Sequence, residues 1–209
     1  MATPRRLVIS VSELAEMQAD RVIEKLGPAT RAAFDAKGNP TAAARGFARS
    51  QGVEIAGLET ISTDKGEYIV CRKKIKGEET QALLPHLLLK FIASLPFRKS
   101  MRWADFELRF ARPIHWILAV YGGEVIPFRL ENIISGNRSY GHRFLSPGPF
   151  EARSLAEYLD RTRENFVIVD PDERRRLILA AAKEAAASLS GKAYYDEALL
   201  DTLVFIVEY

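Results

Sequence analysis

Cysteine, histidine and long apolar runs are all scarce in this chain. Only one of its 209 residues is a cysteine, Cys71, so no intramolecular disulfide and no multi-cysteine metal site can form. Its three histidines, His86, His115 and His142, are too few for a Cys/His metal cluster. No apolar run approaches the roughly 18–20 residues of a membrane span. The stretch Leu7–Val11 is too short and too polar for a signal peptide. The expectation is a cytoplasmic, soluble protein with no metal and no membrane partner, and a lone cysteine suits a reducing compartment. The GxxxxGK[ST], GxGxxG, HExxH and GxSxG signatures are all missing. No catalytic residue and no bound cofactor is assigned.

What is there is an ordinary globular composition. Hydrophobic residues make up 47%, aromatics 10% and charged residues 27%, which excludes a largely disordered chain. A chain of this length can bury a core without staples. Thirty basic residues against 27 acidic ones give a net charge of +3. That mild excess permits a nucleic-acid partner without demanding one. Both ends look abrupt: Leu7–Val11 alternates like a strand almost from the start, and Val204–Tyr209 closes on another strand-like run. The expectation is a piece cut from a longer protein.

The periodicities predict a mixed α+β fold, mainly antiparallel sheet with packed helices. Residues 28–51 read as two short helices, with Pro28 opening the first and Asn39-Pro40 capping the second. Residues 58–76 read as a hairpin turning at Thr63-Asp64-Lys65-Gly66. Leu83, Leu84, Leu87, Leu88, Phe91, Ile92 and Leu95 recur at helical spacing, with Pro85 expected to delay or kink the helix. A second hairpin is expected over 114–130, turning at Gly122-Gly123, with Pro127 marking an edge or bulge. Residues 131–153 are rich in Gly, Ser, Pro and Asn and read as a functional loop surface. Beyond them, Ser154 caps a helix, Phe166–Val169 reads as a strand, and Asp170-Pro171 opens a long helix ending by Gly191. The expected parts are 1–57, 58–153 and 154–209, with a composition shift near 150–154 marking the last boundary.

One segment combines charge with aromatic rings. From Phe97 to Trp116 five basic residues (Arg98, Lys99, Arg102, Arg109, Arg112) face two acidic ones, Asp105 and Glu107. Phe97, Trp103, Phe106, Phe110 and Trp116 interleave with them. Arginine pairs with phosphate and stacks on bases, and aromatic rings stack on unpaired bases, so the segment is suited to RNA. In the competing reading the rings are core and the arginines are a solvated face or pair with Asp105 and Glu107. Tyr140-Gly141-His142-Arg143-Phe144 has the same ambiguity between phosphate loop and plain turn. Asp172-Glu173-Arg174-Arg175-Arg176 reads as helix surface, with Asp172 and Arg176 spaced to pair. His86, on the Leu-rich helix, reads as an edge or core position, and Cys71 as a small buried hydrophobe.

Eight stretches in order carry a family resemblance: Pro4-Arg5-Arg6-Leu7, Glu24–Pro28, Thr63–Tyr68, Leu83-Leu84-Pro85, Met101-Arg102-Trp103, Phe110–His115, Val125-Ile126-Pro127 and Gly141-His142-Arg143-Phe144. Together they resemble the β-subunit family of the bacterial heterotetrameric glycyl-tRNA synthetases. The resemblance implies an α2β2 ligase that joins glycine to its tRNA with ATP and Mg²⁺ used at the α subunit. It implies three partners: the α subunit, glycine tRNA and the remainder of the β subunit. It also implies a module like the B3/B4 part of the phenylalanyl-tRNA synthetase β subunit around residues 60–169.

Two roles follow for the chain itself. As a tRNA-binding module it would use Arg98, Lys99, Arg102, Trp103, Arg109, Arg112, His142 and Arg143. As a scaffold it would hold subunits together without touching tRNA. A third reading, a hydrolytic editing domain, has only His115, His142 and Asp105 to draw on.

Overall fold

The computed structural model describes residues 1–209. The α+β expectation is borne out by six helices and several small antiparallel sheets. The chain forms two compact units, Met1–Leu14 with Gln81–Tyr209, and Ala15–Thr80. The division expected at 57/58 falls inside the second of these, and that at 153/154 inside the first.

The chain opens on a short hairpin, β1 (Ala2–Thr3) against β2 (Arg6–Leu7). The strand expected over Leu7–Val11 is confined to its first residue, because only Val8 goes on to bond backbone, donating to Met1 O at 2.9 Å. Ile9 and Val11 are exposed.

The unit Ala15–Thr80 is built on β3 (Arg21–Ala29), with α1 (Thr30–Ala33) and α2 (Ala42–Gln51) following it, and then β4 (Glu59–Thr63) and β5 (Gly66–Ile75). β5 lies between β3 and β4 in an antiparallel sheet, so residues on both sides of position 57 share one sheet. The expected β4–β5 hairpin is present, with Gly66 at φ +117° after a two-residue turn. Pro28 does not open a helix. It sits near the end of β3, where the ladder shifts between Leu26 and Ala29 because proline offers no N–H. The α2 N-cap is Thr41 rather than Asn39. Asp35 instead receives the backbone N–H groups of Lys37 and Asn39, both at 2.8 Å, and closes the turn before it. Ala33, Ala44 and Ile69 form the core here, flanked by Phe34, Phe47 and Leu58, and Cys71 is buried on β5.

The other unit carries α3 (Thr80–Ser94) from Gln81 onward. Pro85 lies within α3 without delaying its start. The hairpin over 114–130 is much shorter than its apolar runs predict: β6 (Val120–Tyr121) pairs β7 (Glu124–Val125) across Gly122 and Gly123, both at positive φ. Before it, Ala119 O still accepts from the Ile126 N–H at 2.9 Å, while Gly136 donates to Ile117 O and accepts from Ala119, both at 2.9 Å. Two further ribbons follow, β8 (Arg129–Leu130) with β9 (Ile133–Ile134), and β10 (Arg138–Tyr140) with β11 (Pro149–Glu151).

Then come α4 (Leu155–Glu164), α5 (Pro171–Ser188) and α6 (Glu197–Val204). The first two begin where the caps predict. Ser154 Oγ accepts from the Glu157 N–H at 3.1 Å while Glu157 accepts from the Arg153 N–H, a near-reciprocal cap, and Asp170 caps α5 with Pro171 behind it. The strand expected at Phe166–Val169 is absent: Val167, Ile168 and Val169 are buried without a ladder partner. The strand expected at the end is also absent, since Asp196 caps α6 and Leu200 and Val204 bury one helical face, four residues apart. Ala152, Tyr158, Val167 and Val169 form the core of this unit.

Candidate nucleic-acid interface

The charged stretch at the start of α5 is not plain surface. Arg174 is 1% exposed. Its Nε donates to Val204 O at 2.9 Å, one terminal nitrogen to Ile168 O at 2.6 Å and Val169 O at 3.1 Å, and the other to Ala2 O at 2.7 Å. Burial pulls its pKa down, while Glu208 and Asp170 push it back up. Arg175 pairs with Glu197 and Asp201 on α6, and Glu173 with Arg163 on α4, whereas the expected Asp172–Arg176 pair does not form.

A second buried arginine sits at the other end of the same cluster. Arg6 pairs with Glu208, and its other terminal nitrogen donates to Tyr140 O at 2.7 Å and Gly141 O at 2.9 Å. Thr3 Oγ1 donates to the same Glu208 oxygen at 2.6 Å. This pins the residue before His142 to the first hairpin. Gly141 itself has no room for a side chain: a Cβ would lie 2.1 Å from Ser146 O and 2.8 Å from Asn165 Cβ. The His142 N–H donates to Asn165 O at 2.8 Å, and Ser146 closes the loop onto His142 O at 3.0 Å. His142 Nδ1 accepts from the Phe144 and Leu145 N–H groups at 3.3 and 3.2 Å. In the neutral ring the proton is therefore on Nε2, which is left as a donor.

Above this framework a cleft of about 310 Å³ is lined by Arg5, His142, Arg143, Phe144 and the segment Ile206–Tyr209. Arg5 lies over the Trp116 ring, 5.8 Å from its centroid, and Arg143 lies 5.8 Å from the Phe144 centroid. Burial lowers the pKa of Arg5; Glu208 opposes that, and Arg6 and Arg143 add to it. A larger depression of about 470 Å³, lined by Arg45, Arg49 and the stretch Val53–Ala56, lies in the other unit and contains none of the residues singled out above.

Of the sequence candidates, His142 and Arg143 meet in the cleft. Arg98, Lys99, Arg102, Trp103, Arg109 and Arg112 lie on a loop closed by a mutual Met101–Phe110 backbone bridge. Trp103 is half-buried, edge-on to Phe106, and Phe97 is edge-on to Phe110, so these rings partly serve the loop itself. The five basic side chains are exposed, and none pairs with Asp105 or Glu107. Arg109 instead binds Ser100 through Oγ at 3.2 Å and O at 3.1 Å. Trp116 leaves this loop to pack edge-on against Tyr140, beside Arg5 and Arg6. No hydrogen bond joins Asp105 to His115 or His142. Sequence reasoning missed Arg5 as a cleft residue; its place beside Arg6 in the Pro-Arg-Arg motif was the available signal.

These geometries can be set beside known proteins. The family model described as glycyl-tRNA synthetase beta subunit matches residues 1–209. The chain belongs to that family. Among its relatives, the glycine–tRNA ligase beta subunit of Syntrophus aciditrophicus is 59% identical over 207 residues, and that of Syntrophotalea carbinolica 51% identical over 208. The corresponding protein of Geobacter sp. strain M21 is 49% identical over 209 residues. These matches cover 99–100% of this chain but 30% of each relative's length. In this β-subunit family chain no helix is long and apolar enough to cross a membrane.

Proposed function

We propose that this chain is part of a cytoplasmic glycine–tRNA ligase and supports ATP-dependent glycylation by holding glycine tRNA, with ATP, Mg²⁺ and the reaction itself at an α-subunit partner. The observation that carries the reading is the set of exposed cations without acidic partners: Arg98, Lys99, Arg102 and Arg112 on one loop and Arg143 at the cleft. Free, solvent-facing guanidinium groups beside aromatic rings suit a phosphate backbone. The test is fluorescence-anisotropy titration with labelled glycine tRNA over a salt series, with a non-cognate tRNA alongside. Arg98→Ala/Arg102→Ala is expected to weaken binding and to flatten the log Kd against log salt slope by about 1.4–1.8, the equivalent of two phosphate contacts. An unchanged slope overturns the assignment of this loop.

A scaffold role is favoured by a different observation. On α3, Leu87 is 51% and Phe91 41% exposed, and of the helix's residues only Thr80 is buried. An apolar helix surface left open suits a protein partner, here the α subunit or the remainder of the β subunit. Leu87→Asp/Phe91→Asp is expected to reduce association with the α subunit at least tenfold in a sedimentation or pull-down titration, while leaving tRNA affinity unchanged. Unaltered association removes the α subunit as the partner of this helix.

A further inference from the structure

Phe144 is 81% exposed, yet the two residues before it lie against its ring. The Arg143 guanidinium lies 5.8 Å from its centroid and the His142 ring 6.2 Å away, tilted 56°. The loop that carries it is fixed: Arg6 holds Tyr140 and Gly141, and Asn165 holds His142. A rigid loop presenting a solvent-facing ring is a stacking platform rather than a stray hydrophobe.

Arg5 supplies a second feature. Its side chain is 32% exposed, and its guanidinium reaches only one acid, Glu208, at 4.0 Å. That carboxylate already serves Arg6 and Thr3 through its other oxygen. None of Arg5's guanidinium N–H groups makes a hydrogen bond within the protein. A partly desolvated cation with an unfilled donor fork calls for an anion. Three guanidinium groups (Arg5, Arg6, Arg143) face a single carboxylate here, so the excess charge has the sign that attracts phosphate.

Resting on the tRNA reading above, we propose that this cleft holds one unpaired nucleotide of RNA, its base on Phe144, its phosphate between Arg5 and Arg143, and a ribose or base acceptor on His142 Nε2. The volume of about 310 Å³ is at the lower end of small-ligand sites and suits a single nucleotide, not a duplex. A paired base cannot reach the ring, whereas an unstacked base presents its π-face.

The experiment is anisotropy titration of the chain with three labelled probes: a single-stranded RNA octamer, a blunt RNA duplex of equal length, and glycine tRNA. Phe144 is exposed, so its replacement leaves the fold in place. Phe144→Ala is expected to weaken octamer binding about tenfold or more, with duplex binding unchanged and Phe144→Trp restoring the affinity. Arg143→Gln is expected to lower the octamer salt slope by about 0.7, the single-strand equivalent of one phosphate. If tRNA binds with a steep salt slope but Phe144→Ala changes neither tRNA nor octamer affinity, the cleft assignment falls and the tRNA reading stands. If tRNA does not bind while the octamer binds and is lost on Phe144→Ala, the cleft assignment stands and the tRNA reading falls. Equal losses of octamer and duplex binding on Phe144→Ala overturn the stacking role.

Discussion

Arg174→Met is expected to destabilise the unit containing residues 81–209 by about 3–5 kcal/mol, the size expected when several buried carbonyls lose one shared donor. The physical reason lies in what the guanidinium holds. It ties four backbone carbonyls from three separate pieces of chain: Ala2 on β1, Ile168 and Val169 in the buried segment before α5, and Val204 at the end of α6. Methionine fills most of the volume but leaves those carbonyls without their donor, and a buried acceptor without a partner costs about 1–3 kcal/mol. The size of the loss distinguishes this network from an ordinary surface arginine, whose removal moves stability by about 0.5 kcal/mol or less. Arg174→Lys is expected to recover only part of it, because one ammonium cannot reach positions set by a planar fork. Urea denaturation followed by tryptophan fluorescence is the measurement. Both tryptophans, Trp103 and Trp116, lie in this unit, so the signal reports its unfolding and not that of Ala15–Thr80. A midpoint unchanged by Arg174→Met would mean that the network is ornamental.

The role of Arg174 was hidden in the sequence for a local reason. Its neighbours Asp172, Glu173, Arg175 and Arg176 are all charged, and in composition the stretch reads as solvated helix. The signal that distinguishes it is phase: Pro171, Arg174 and Ile178 fall on one face of α5, and that face is turned inward. Features that depend on a few adjacent residues were legible. Thr63–Gly66 and Gly122-Gly123 marked their turns, and Ser154 and Asp170-Pro171 marked the starts of α4 and α5. β3 was not legible. Its partner residues on β5 lie far along the chain, from Ala29 with Tyr68 to Arg21 with Ile75, and Gly27-Pro28 near its end reads as a break. The apolar run at Ile114–Tyr121 predicted a long strand, but only Val120 and Tyr121 enter the β6–β7 ladder; Ala119 still accepts from the Ile126 N–H, while its own N–H and Ile117 O bond Gly136. The closing run from Val204 looked like a strand because its residues are apolar, while the deciding cap, Asp196, stands eight positions earlier.

The candidate site divides along the same line. Residue type singled out Arg98, Lys99, Arg102, Arg109, Arg112, His142 and Arg143, and the structure leaves the five on the 97–116 loop without Asp105 or Glu107 as partners, which removes the ion-pair alternative. Sequence alone could not say that Arg5, some 137 positions before His142, shares a cleft with it. That juxtaposition depends on Glu208, at the opposite end of the chain from Arg6.

Glu208→Gln puts that dependence to the test and is expected to cost about 3–5 kcal/mol of stability in the same unit. Glutamine preserves the shape and one acceptor oxygen, so Thr3 can keep its hydrogen bond. The charge is what disappears, and Arg6, with its side chain 2% exposed, is left as a buried cation without a counter-ion. Its Nε already lacks a partner, and the carbonyls of Tyr140 and Gly141 that its other terminal nitrogen meets carry no counter-charge. A double-mutant cycle separates the charge from the packing. Arg6→Met is expected to destabilise on its own, since Tyr140 O and Gly141 O lose their donor. The double variant Arg6→Met/Glu208→Gln is expected to lose less than the sum of the two single losses, by about 1–3 kcal/mol, because the second substitution then strands no charge. Strict additivity would show that the two side chains act independently despite their contact. The same cycle reaches the cleft. Arg6 anchors the residues immediately before His142, so Arg6→Met is expected to weaken single-stranded RNA binding even at temperatures where the variant stays folded. Glu208→Gln leaves that anchor in place and removes the only acid near Arg5, and RNA affinity in the folded variant is expected to rise rather than fall. Opposite signs on binding from two substitutions that both destabilise the fold would separate the electrostatics of the cleft from its scaffolding.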